Sequence, residues 1–106
     1  MIYKVRARFK TDTAARFLDR LNDGSIAGQR PDGAEIVASM ERAVVAPDGA
    51  VEWAEMCFCN PPLAHERATV LDAHFEDLTT RPVDGHEHYE GGPLMDHLRQ
   101  LADQPS

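Results

Sequence analysis

The chain opens on a strict alternation: in IYKVRARFK, Tyr3, Val5, Ala7 and Phe9 are apolar, while Lys4, Arg6, Arg8 and Lys10 are basic. Period two is the spacing of a half-buried strand, one face dry and the other wet. The period then lengthens. In TDTAARFLDRLNDG, Ala14, Phe17, Leu18 and Leu21 share one helical face, with Arg16, Asp19, Arg20 and Asp23 turned away. Thr11 or Thr13 can cap this helix, and Gly24 can end it.

SIAGQRPDG reads as a loop with a short extended piece at Ile26. The tetrapeptide PDGA occurs at residues 31–34 and again at 47–50. Proline and glycine at these positions suit a β-turn, so the second copy is expected to join EIVASMERAVV to VEWAEMCFC as an antiparallel hairpin. Ala, Glu and Met would also allow a helix from Ala34 to Arg42, but Ile36-Val37 and Val44-Val45 favour strand. NPPLAHERATVLDAHFEDL supplies a second helix, capped by Asn60, with the stripe Ala64, Ala68, Leu71, Phe75 and Leu78 and with Glu66 early enough to favour the helix dipole. TTRPV resumes extended structure. After DGHEHYEGG, Pro93 opens a short last helix with Leu94, Leu98 and Leu101 inward, and the tail 102–106 frays.

The expected fold class is therefore α+β: a ferredoxin-like β-α-β-β-α-β order, an antiparallel sheet with helices on one face, plus a short C-terminal helix. With 106 residues the chain reads as a single domain, 1–106, able to form a core without disulfide or metal. The run FLDRLNDGSIAGQRPDG, followed downstream by FEDLTTRPV, resembles the helix, glycine-containing connection and terminal strand of YCII-related proteins, small ferredoxin-like domains that pair into dimeric α+β barrels. The resemblance implies such a dimer. It carries no catalytic motif, and the family's site histidine has no match in this chain's first helix, so no site residue follows from it.

Charge narrows the partners. The net charge of −7 lies wholly in residues 54–106, where three Lys/Arg face ten Asp/Glu. An acidic chain is a poor ligand for phosphate backbones or anionic lipid, so neither nucleic acid nor membrane is expected. The basic alternation of the first ten residues lacks the apolar run of a signal peptide, and a cytoplasmic location with free thiols is expected.

Three groups of residues could carry chemistry. Lys4, Arg6, Arg8 and Lys10 would stand together on one face of a central strand, and like charges so close call for something negative. The simpler answer is acidic side chains, Glu41, Glu52, Glu55, Glu87 or Glu90, from neighbouring strands or a partner copy. The sharper one is a small anionic molecule, with Trp53 and Tyr89 lining its pocket. Cys57 and Cys59 form the second group. On a regular strand their Cα atoms would be about 6.6 Å apart on one face, unsuited to zinc or to a mutual disulfide, so both are expected to be free apolar fillers. Cys59, ahead of a helix, could alternatively be an activated thiol. The third group adds His65, His86 and His88, beside Glu90, as possible metal ligands, against which the glycine-flanked turns mark an exposed loop. His74 and His97 read as surface or boundary residues.

The leading expectation is a homodimer that binds a small anionic ligand through Lys4, Arg6, Arg8, Lys10 and Trp53 or acts as a structural or regulatory dimer, with no cofactor and no metal. The alternatives are a small lyase or isomerase with a histidine acid or base, and a Cys/His metal-binding protein.

Overall fold

A computed structural model describes residues 1–85 and 88–104. The chain runs β1 (Ile2–Phe9), a 3-10 turn (Thr11–Thr13), α1 (Ala14–Asn22), α2 (Gly33–Arg42), β2 (Val44–Val45), β3 (Val51–Met56), α3 (residues 64–74), β4 (Phe75–Val83), β5 (Gly92–Pro93) and α4 (Leu94–Ala102). The strands form one antiparallel sheet in the order β4-β1-β3-β2-β5. The helices cover one face, in outline the β-α-β-β-α-β arrangement, with β1 in a central position as its alternation requires. The two main helices begin at Ala14 and Ala64; Thr13 precedes the first as expected, but Leu63 rather than Asn60 stands at the cap of the second.

Two expectations about the elements are corrected. The long first arm of the hairpin is helix, and only Val44–Val45 pairs with β3. Local β-propensity at Ile36-Val37 lost to a helical burial stripe, in which Ile36, Ser39, Met40 and Ala43 are buried against the sheet. Arg42 fastens this helix by donating to the Ala54 carbonyl at 2.9 Å. The second helix is also shorter than its stripe suggested. It ends at His74, and Phe75 and Leu78 belong to β4. A π turn at Arg67–Leu71 interrupts it.

The core lies between sheet and helices. Val5, Val51 and Trp53 meet Phe17, Ile36, Met40, Leu71, Leu94 and Leu98 there. Phe75 is its centre, with ring centroids 5.4 Å from Phe9, 5.9 Å from Phe17 and 5.3 Å from Trp53. The edge-on geometry of its pairs with Phe9 and Phe17 is one that aromatic quadrupoles favour. Among the described residues no helix is long and apolar enough to cross a membrane.

Candidate functional site

On the uncovered face the chain answers its own basic ladder. Val5 pairs with Trp53 and Arg6 with Glu52 across β1 and β3, so parity puts Glu52 among the basic side chains. Glu52 Oε2 lies 3.2 Å from Lys4 Nζ and 3.0 Å from Arg6 Nη1. Asp48, in the turn after β2, takes the other arm of Arg6. The Ala50 N–H first, and then Arg6, hold the Asp48 carboxyl below the usual carboxylate range. Lys4 also sits 4.6 Å from the Tyr89 ring centroid, while Lys10 Nζ donates to the Asp72 carbonyl at 2.9 Å. Arg8 is exposed beside Asp77 and Thr79 in a small recess. Trp53 stands apart from all of these. It is 1% exposed, on the helix side of the sheet, so the structure does not bring it together with the ladder. Glu55 shares that side, and Glu87 and His86 lie outside the described residues.

The Cys57–Arg67 segment departs from strand geometry. β3 ends at Met56, and the chain folds back so that the Cys59 and Leu63 N–H groups approach Cys57 Sγ at 3.2 and 3.4 Å. Leu63 adopts the left-handed conformation, φ 62°, an uncommon state for a bulky residue, at the place where its N–H meets the sulfur. Both cysteines are free, Cys57 buried and Cys59 half-buried, and their thiols interact with each other. Burial pushes the Cys57 thiol up, and the two N–H contacts oppose it. His65 does not join them in a metal set: its Nδ1 pairs with Asp32 Oδ2 at 2.8 Å. Among the described residues no three His, Cys, Asp or Glu side chains are grouped to hold a metal ion.

Beside Cys57 lies a feature that the sequence reading missed. Glu55 and Glu66 are 0% and 1% exposed and hydrogen-bonded to each other. Trp53 Nε1 donates to Glu55 Oε1 at 2.6 Å. Burial pushes the Glu66 carboxyl up to about 11, helped by Glu55 and then by Asp32 and Cys57. Glu66 is therefore the protonated partner, donating to Glu55, whose own carboxyl is raised by burial and held back by the Glu66 and Trp53 bonds. Even so, Asp32 Oδ1, Glu55 Oε2 and Glu66 Oε1 are buried without a hydrogen-bond partner. A signal for this existed. Glu55 falls on the core parity of Val51, Trp53 and Cys57, and Glu66 on the helical face of Leu63, Val70 and His74.

Next to this cluster opens a largely apolar pocket of about 430 Å³, walled by Pro31, Asp32 and Glu35 from the start of α2 and by Met56–Cys59 from the end of β3. Phe58, 86% exposed, stands at its rim. Glu35 is occupied in bonds to Arg42 and to the Met56 N–H.

His74 is also misplaced by the sequence reading: it is fully buried rather than a boundary residue, stacked 4.2 Å from Phe17. Arg20 Nη1 lies 3.2 Å from Nε2 and can only donate, and Thr13 Oγ1 is 2.9 Å from Nδ1. The ring is thus the neutral Nδ1–H tautomer. Burial, then Arg20, Arg16 and Lys10, push it down to about 4.

No protein-family model, no curated protein and no solved structure matches this chain. The resemblance to YCII-related dimeric barrels is corrected by the fold itself, since the sheet is open and unclosed, with helices on one face.

Proposed function

We propose that this domain binds a small organic molecule in the pocket beside Cys57, and that the ligand carries an apolar body and a protonated amine or amidine. The observation that supports this reading is the set of three buried carboxyl oxygens without a donor, one of them on Asp32 in the pocket wall. A buried acceptor left unmade costs about 1–3 kcal/mol, which a donating ligand recovers. The chain's net charge of −7 favours a cation over an anion in the same direction. The pocket's volume is in the range of small-molecule sites.

Benzamidine and benzoate, alike in shape and opposite in charge, separate the possibilities in a heteronuclear NMR titration. Benzamidine should shift the amides of Asp32, Glu35 and Met56–Cys59, with benzoate inert, and Asp32→Asn should weaken it about tenfold, the worth of roughly 1.4 kcal/mol. Binding of benzoate in preference, or of neither probe, ends this reading.

An anionic ligand over Lys4, Arg6, Arg8 and Lys10 is less well supported, because Glu52 and Asp48 already engage two of the four. The same pairs remove the charge argument for a homodimer. What favours pairing of copies is apolar: Met56 and Phe58 are 43% and 86% exposed at one end of β3, and Met1, 59% exposed, bonds to Cys57 there. Light scattering at micromolar concentration should then give twice the monomer mass, and Phe58→Ser should lower it.

A further inference from the structure

We propose that Cys57 and Cys59 are a redox-active dithiol that reduces a small disulfide and closes into an internal disulfide. Their surroundings assign them different tasks. Both line the pocket, but Cys59 is half-buried and Cys57 buried, so Cys59 is the thiol more open to an incoming molecule. The strand geometry that would hold two such thiols apart stops at Met56. Beyond it the chain folds back, and the Cys59 N–H lies 3.2 Å from Cys57 Sγ, which sets the backbone of the second cysteine against the sulfur of the first.

The chemistry balances with a low-molecular-weight disulfide, R–S–S–R, as co-reactant. Cys59 loses its proton and its thiolate attacks one sulfur of R–S–S–R; that S–S bond breaks, and the departing R–S⁻ takes up a proton. Cys57 then attacks Cys59 Sγ as thiolate, forming the Cys57–Cys59 bond and releasing the second R–S⁻, which takes the proton Cys57 gave up. Two electrons and two protons have passed to the co-reactant. The Cys59 and Leu63 N–H groups meet the charge that forms on Cys57 Sγ in the second step, and in reverse they favour Cys57 as the leaving sulfur. Burial disfavours Cys57 as the initiating thiolate, which fits the order Cys59 first.

The reduced full chain is equilibrated against a series of glutathione to glutathione-disulfide ratios, alkylated, and read by intact mass. A species lighter by two hydrogens, with no alkylatable thiol and restored by reduced glutathione, is the expected product. Cys57→Ser should collect a stable glutathione adduct on Cys59, while folded Cys59→Ser should stay unmodified. Should either variant fail to fold, the wild-type masses decide. Accumulation of glutathione adducts in place of the internal bond overturns the proposal, as does a wild type that stays reduced at ratios where the denatured chain is oxidised. Oxidation is measured without amine, and amine binding with both thiols reduced, so the two readings fail separately.

Discussion

Glu66 shows how far one residue's chemistry is set by packing. On an exposed first helical turn it would be an ordinary carboxylate; here it is held neutral by burial and by donation to Glu55. Its carboxyl titrates near the ordinary 4.5 in the unfolded chain and near 11 in the folded one. The stability it contributes is therefore complete below about 4.5 and is lost progressively as pH rises toward 11. Glu66→Gln keeps a donor for Glu55 and cannot ionise. We expect the variant to melt close to wild type at pH 5 and to be more stable at pH 9 by more than about 1 kcal/mol, one pKa unit being worth 1.36 kcal/mol. Equal destabilisation at both pH values in parallel melts would mean that Glu66 is the acceptor of a charge-assisted bond instead.

At the level of elements, legibility followed the range of the forces involved. The alternation of β1 is visible because each side chain reports its own face, and it led to the central strand and its antiparallel neighbours. The segment 34–45 misled because β-branched pairs speak for local preference, whereas the stripe Ile36, Met40, Ala43 speaks for a helix that exists only against a sheet. The fold-back at Cys57 depends on contacts with Leu63 and Met1 that no local pattern contains. Asp32 joins the candidate site only because α2 is a helix, so the error at that element concealed the site as well. The entry to α2 is tight. A Cβ on Gly33 would stand 2.0 Å from the Ile26 carbonyl oxygen, inside any allowed contact. Gly33→Ala should cost about 1–3 kcal/mol in chemical denaturation by forcing the backbone apart. A change below about 0.5 kcal/mol would show that the Ile26–Gly33 approach relaxes freely.

For the molecule as a whole, His74 opposes Glu66 in the pH dependence of stability. It stands where the β1–α1 corner meets the α3–β4 corner. Lys10 donates its backbone N–H to the His74 carbonyl at 2.8 Å, and the ring reaches Thr13 and Arg20. The ring thus adds side-chain links to the strand pairing that joins the two halves of the chain. Its folded pKa, about 4, lies below the ordinary 6.5 because burial and three nearby cations disfavour the proton. The stability it provides is complete above 6.5 and lost as pH falls toward 4, on the order of 3 kcal/mol by linkage. Glu66 works from the other side: between about pH 4.5 and 6.5 the two slopes oppose each other, so wild-type stability should be level there and fall above 6.5 through Glu66 and below 4.5 through His74. The two flanks can be assigned separately. His74→Asn should lower stability at neutral pH through lost stacking on Phe17 and leave the Glu66 decline running upward from about pH 4.5, while Glu66→Gln should unmask the His74 decline between pH 6.5 and 4. Imidazole resonances followed by NMR give the direct check: the His74 ring must remain neutral down to about pH 4. A His74 midpoint near 6.5 would show that Arg20 does not face its Nε2 in solution, and the acid flank would then have to come from the carboxylates alone.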